Sequence, residues 1–238
     1  MENTKSLITI TFCDRAENHA GMQVIGSEAG CVYTYDKLNT MSQEISNSEF
    51  VDLSLGDIKT AVLIIRNFYP RNKKLLKELR SLEWDTKAYM RGRVVNKKAR
   101  YNLCFSNFDQ EPDYENKKGT IVDFSHLKHL NKVRNAIMEN LEPECELVAE
   151  GNMYYDMNKC YIGYHGDSER NVVIGLRLGC TYNLTYCWHQ NRDKVGEEID
   201  ISLNSGDLYI MSDKAVGKDW KKRLIPTLRH SVNPHLAK

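Results

Sequence analysis

No stretch of this 238-residue chain approaches the roughly 18 consecutive apolar residues that a membrane-crossing helix requires. Residues 1–6 include an acid and no apolar core, so an ordinary signal peptide is not expected. There is no Cys-x-x-Cys pair. The seven cysteines are scattered and odd in number, which argues against both a zinc knuckle and a disulfide framework and leads us to expect a reducing, intracellular setting. Internal repeats and low-complexity linkers are missing too. A net charge of +1 excludes a chain that is basic throughout. What remains is a soluble polypeptide, 41% hydrophobic, long enough to bury one sizeable core without staples.

The periodicities place helices early and strands late. Residues 7–12 (Leu-Ile-Thr-Ile-Thr-Phe) alternate as a strand does, and residues 60–66 form a β-branched apolar run of the kind found in buried strands. Residues 36–45 allow a short helix. Leu75, Leu76, Leu79 and Leu82 recur at helical spacing, as do Leu127, Leu130, Val133, Ile137 and Leu141, for which Ser125 is the expected N-cap. From there to the end the pattern is strand-rich. An α+β domain is expected, with N-terminal helices buttressing a double-stranded β-helix (jelly roll). Residues 59–238 would form this domain, and residues 1–58 an N-terminal extension packed on it.

The chemistry concentrates at His165-Gly166-Asp167. On a strand, residues i and i+2 share a face, so the imidazole and the carboxylate can converge on one ion while Gly166 lets backbone pass close by. These are two of the three ligands of the 2-His-1-carboxylate triad, which leaves positions on Fe(II) open for co-substrate and oxygen. A lone His-x-Asp is also common in surface turns. A second, distant histidine is needed to complete the set. His19 lies in a polar stretch and is read as structural.

Asn152-x-Tyr154, His165-x-Asp167-x-Glu169, the short run ending Leu178-Gly179, and Ser205-Gly-Asp-Leu-Tyr-Ile-Met211 occur in that order. Together, over roughly residues 150 to 232, they resemble the AlkB-like branch of the Fe(II)/2-oxoglutarate dioxygenases. The resemblance implies that Fe(II) is held by His165, Asp167 and His230, and that 2-oxoglutarate and O2 react there to hydroxylate a C–H bond. It implies that Asn152 and Tyr154 contact 2-oxoglutarate, with Tyr155 competing because of one extra residue before His165.

The chain departs from that pattern twice. The family's histidine soon after a tryptophan is replaced by Lys221-Lys222-Arg223 after Trp220. His230 is preferred over His189 and over His235, which sits near the chain end. No arginine follows His230, so Arg177, which interrupts an apolar strand, becomes the candidate for the co-substrate's distal carboxylate, equally balanced against a structural ion pair. Its even spacing from His165 allows a shared sheet face if no turn intervenes. Arg229, Arg223 and Lys238 are the reserves.

Six basic residues and no acid lie between Thr86 and Phe108, and Lys218, Lys221, Lys222, Arg223 and Arg229 surround the second histidine. Such runs are solvated faces as often as binding surfaces, but two of them flanking one site suit a phosphate backbone. By position, residues 89–105 match the AlkB-like lid over a nucleotide. Tyr89 and Tyr101 could then stack on a base, with Arg93, Asn96 and Arg100 reaching its edge or phosphates and Glu169 and Arg170 beside it. A surface hairpin with inward-packed aromatics is the equal alternative. Demethylation or hydroxylation of a base, flipped or single-stranded, is the expected activity. A protein or small-molecule hydroxylase of the same chemistry stays open, as does a non-catalytic jelly-roll binding module.

Overall fold

The computed structural model describes residues 5–237. In chain order it forms β1 (Leu7–Cys13), the short pair β2 (Arg15–Glu17) and β3 (Val24–Gly26), helix α1 (Tyr35–Glu44), β4 (Ser48–Asp52) and β5 (Ala61–Ile65). Helix α2 (Asn72–Arg80), β6 (Lys87–Met90), β7 (Arg93–Asn96), β8 (Tyr101–Ser106), β9 (Ile121–Asp123) and helix α3 (Lys128–Leu141) come next. The remainder is β10 (Val148–Tyr154), β11 (Ile162–His165), β12 (Val173–Gly179), β13 (Tyr182–Gln190), β14 (Asp193–Lys194), β15 (Ile199–Leu203), β16 (Leu208–Met211), helix α4 (Asp213–Val216) and β17 (Thr227–Val232).

Two sheets make the α+β jelly-roll core. The larger runs β4-β5-β16-β12-β1-β10-β8-β9, and the smaller runs β11-β17-β13-β14 with β15 also on β13. Alternation along each strand gives the large sheet two unlike faces. Ile8, Ile10 and Phe12 of β1, with Leu103, Phe105, Ala149, Ile174, Leu176 and Ile210, pack against Leu38 of α1, Leu75 and Leu79 of α2, and Leu130, Val133 and Ile137 of α3. The opposite face carries Thr9, Thr11, Glu150, Asn152 and Arg177 toward the small sheet. Between the sheets, Val62, Ile64, Tyr209 and Met211 meet Leu184, Tyr186, Trp188 and Leu228, closing one end of the sandwich with apolar contacts.

The N-terminal segment does not lie on the core as an extension. Strand β1 runs through the middle of the large sheet, bonded to β10 on one side and β12 on the other, and β4 forms an edge of the same sheet. Its alternation is visible in sequence, but the long-range pairing that makes it central is not. The expected N-cap of α3 is also different. Ser125 sits in a 3-10 turn and donates its own N–H to Asp123 (2.7 Å). The α3 terminus is instead capped from a distance, the Glu78 carboxylate of α2 accepting from the N–H groups of His129 and Leu130 at 2.9 Å each.

Candidate metal centre and its cavity

His165 ends β11 and faces His230 on β17 in direct register, their ring centroids 4.4 Å apart. On β17, Leu228, His230 and Val232 alternate toward the interior, which buries His230 among Tyr186 and its neighbours. Asp167 does not share a strand face with His165, because β11 stops at His165 and the chain turns. Its position comes from elsewhere: the Asp167 N–H donates to the Val216 carbonyl (2.9 Å), and Gly166 lies so close to Gly217 that a Cβ there would stand 2.1 Å from the Gly217 oxygen. Only glycine permits that approach.

The turn brings one carboxylate between two imidazoles. The His165 Nε2 lies 3.7 Å from Asp167 Oδ1, and the His230 Nε2 lies 3.8 Å from Oδ2. One ligand atom from each residue falls within 4.8 Å of the others. The Nδ1–H of His165 donates to the Gly163 carbonyl (2.9 Å), which orients the ring and leaves Nε2 free to coordinate. Burial, and then the neighbouring His165, push the His230 pKa down to about 4. Burial would raise that of Asp167, yet Arg170, His230 and His165 together hold it below the usual carboxylate range. Neutral imidazoles and an ionised carboxylate are the protonation states a divalent cation takes up.

A cavity of about 780 Å³ opens from these three residues across the polar face of the large sheet. Within it, Arg177 is the largest fully buried side chain, 1% exposed, and its Nε and Nη1 have no hydrogen-bond partner among the described residues. Burial lowers its pKa. Thr9, opposite Arg177 in the strand register, also leaves its hydroxyl unpartnered among the described residues. Unmade bonds on a buried guanidinium are costly, and a planar carboxylate from outside the chain would satisfy them bidentately. The donor set thus fits a metal ion and a dicarboxylate. The expected common face of His165 and Arg177 is absent: they stand on different sheets and meet across the cavity.

Of the other residues singled out from sequence, Asn152, Tyr154, Arg100, Glu169 and Arg170 line the cavity. The Asn152 oxygen accepts from Arg100 Nε (2.6 Å) and Asn102 (2.8 Å). The buried Arg170 joins Glu150 (2.7 Å) and Glu169. Tyr155 turns away, donating its hydroxyl to the Lys98 carbonyl (2.7 Å) and stacking on Tyr101 with centroids 4.6 Å apart. Tyr89, Arg93 and Asn96 belong to the β6–β7 hairpin, outside the cavity wall, and Lys117 covers the Tyr89 ring. Arg229 stands over the Trp220 ring outside the cavity, Arg223 is exposed, and Lys238 lies outside the described residues.

Sequence reasoning missed Thr9, Thr11, Arg15, Glu17, Asn18, Ala20, Gly21, Glu150 and Tyr209, all of which line the cavity, and read His19, which lines it too, as structural. The polar positions in the alternation of β1 were the one available signal for Thr9 and Thr11. Nothing local marks the rest, since they reach the cavity through pairings far along the chain.

A family model described as the 2OG-Fe(II) oxygenase superfamily matches residues 61–233. The chain is also 48% identical, over 98% of its length and 97% of the relative's, to an uncharacterised protein of Acanthamoeba polyphaga mimivirus.

Proposed function

The chain belongs to the 2OG-Fe(II) oxygenase superfamily and is an Fe(II)- and 2-oxoglutarate-dependent dioxygenase using O2; from that premise we propose that His165, Asp167 and His230 hold the iron and that Arg177 anchors 2-oxoglutarate. The triad geometry carries the metal assignment: both Nε2 atoms and both Asp167 oxygens converge within coordination reach, without acidic competitors in the same cluster among the described residues. When bound, the iron and 2-oxoglutarate supply the oxidation, in which the co-substrate is decarboxylated to succinate and a C–H bond is hydroxylated. The protein's own part is positioning. Arg177 and the Thr9 hydroxyl offer donors to the distal carboxylate, Asn152 and Tyr154 stand on the adjoining strand, and the apolar plug of Tyr186, Leu184 and Tyr209 limits water.

We propose further that the substrate is a nucleic-acid base, in keeping with the AlkB-like ordering of the motifs. The observation favouring it is that both basic segments reach the cavity wall, which Trp220 also lines, one through Arg100 and the other through Lys221. The base would have to leave its stack to enter. Two measurements test this: single-stranded oligonucleotide binding as a function of salt, and succinate release with and without oligonucleotide. Binding should fall steeply with salt, and replacing Lys97 and Lys98 by Ala should lower the slope by about 1 to 2. Succinate formed without any oligonucleotide binding at low salt would point to a protein or small-molecule substrate.

A further inference from the structure

The wall formed by Arg15 to Gly21 and Arg100, on the β8–β10 side of the cavity, carries donors that the metal and 2-oxoglutarate do not use. Arg15, His19 and Arg100 line it, Arg15 being paired with Glu28 (3.6 Å), and Lys97 stands behind Asn18. Among the described residues Arg100 spends only its Nε, on Asn152 (2.6 Å). Lys97 is half-buried and donates to the neutral oxygen of Asn18 (3.1 Å), and Asn18 itself lines the cavity. His19 stands in the same wall.

The acids nearby are already committed. Asp85 accepts from Asn18, Tyr114 and both the amide and hydroxyl of Thr120, at 2.7–2.8 Å. Glu150 accepts from Asn102, Asn152 and Arg170, Glu169 from Arg170, and Glu17 from the Gly21 amide (2.7 Å). Neither Lys97 nor Arg100 forms an ion pair among the described residues. Burial, then the charges of Lys97 and Arg100, lower the pKa of His19 to about 4, and burial lowers that of Lys97 to about 8. Burial leads both shifts, which marks a partly dry wall, and the Asp85 carboxylate works against the shift of Lys97.

We infer that His19, Arg100 and Asn18, the last backed by Lys97, form an oxyanion subsite that holds a phosphate-type group of the molecule being oxidised. The cavity of about 780 Å³ has room for it beside a five-carbon dicarboxylate. Arg177 stands two strands away from Asn152 across β1, so the two anion sites are separate. The inference rests on this cavity being the active site and adds a substrate class, one carrying an oxyanion within reach of the oxidised carbon. Its phosphate could come from a free small molecule or from a polynucleotide backbone.

The test is a calorimetric titration of the metal-free full chain with inorganic phosphate and, separately, with a single-stranded oligonucleotide lacking terminal phosphates. Phosphate should bind at one site. Arg100→Gln and His19→Gln should each weaken it by about tenfold or more, Arg100→Lys less so, while Arg177→Met leaves it in place. If the oligonucleotide behaves the same way the backbone is the source, and if it does not bind a small phosphorylated molecule is. Phosphate binding that survives Arg100→Gln and His19→Gln, or that disappears only in Arg177→Met, overturns the inference. His19→Gln changes a residue in the loop between β2 and β3 and guards against misfolding of Arg100→Gln. Succinate production by the iron-loaded wild type reports on the active-site reading separately: succinate without phosphate binding removes the subsite alone, and phosphate binding without succinate removes the assignment of iron and co-substrate to this cavity.

Discussion

Replacing Arg177 by Met should have effects of opposite sign in the two states of the protein. In the ligand-free chain the guanidinium is fully buried, and its Nε and Nη1 have no hydrogen-bond partner among the described residues, so its desolvation is poorly repaid. Removing an unpaired buried ion relieves a cost on the order of several kcal/mol, partly offset by changes in packing of the stem. Ligand-free Arg177→Met should therefore unfold at the same temperature as the wild type or higher. Toward 2-oxoglutarate the sign reverses. Two charge-assisted hydrogen bonds at about 1.5–3 kcal/mol each amount to roughly 3–6 kcal/mol, or about two to four powers of ten in Kd. Arg177→Lys should recover part of this, since a point charge replaces a fork. The assay is a thermal melt with and without 2-oxoglutarate and Mn(II), alongside the KM for 2-oxoglutarate in succinate release. A variant that loses stability by several kcal/mol yet keeps its 2-oxoglutarate affinity would refute the argument and make Arg177 a structural residue.

His230→Ala and Asp167→Ala should abolish Fe(II)-dependent succinate formation and metal binding, whereas His189→Ala, whose ring bonds the Cys187 carbonyl away from the triad, should retain both; full activity in His230→Ala would remove it as a ligand. Gly166→Ala must push a Cβ into the Gly217 carbonyl at 2.1 Å, so it should cost about 1–3 kcal/mol and weaken metal binding, and wild-type metal affinity at an unchanged melting temperature would contradict the packing role. Glu78→Ala uncaps α3 and should cost about 0.5–2 kcal/mol in denaturant melts, with little change in metal affinity. The folded-state pKa of His230, about 4, lies below its ordinary 6.5, so the unfolded chain takes up this proton first. Its contribution to the stability of the metal-free protein is full above pH 6.5 and is lost as pH falls toward 4. His230→Gln should flatten that part of the stability profile, and identical slopes would count against it.

The local code of the chain determined its elements. Alternation in residues 7–12 separates the apolar face packed on the helices from the polar face lining the cavity, the β-branched run at 61–65 is buried on both faces, and the leucine spacing of α2 and α3 marks their buried sides, so each was legible from local pattern. The ligand types were legible as well, since His165-Gly166-Asp167 needs only two neighbouring side chains and a glycine. Tertiary structure decided the rest. Strand β1 is central because β10 and β12, more than 130 residues later, pair with it, and the Thr9 and Arg177 donors become neighbours only through that register. His230 faces His165 through the β11–β17 ladder, and Asp167 is aimed by a bond to Val216 and a glycine–glycine contact instead of by strand alternation. The Arg15 to Gly21 wall and the remote Glu78 cap have no sequence signature for the same physical reason: a side chain's partner is set by where the backbone returns, and local pattern carries no information on that return.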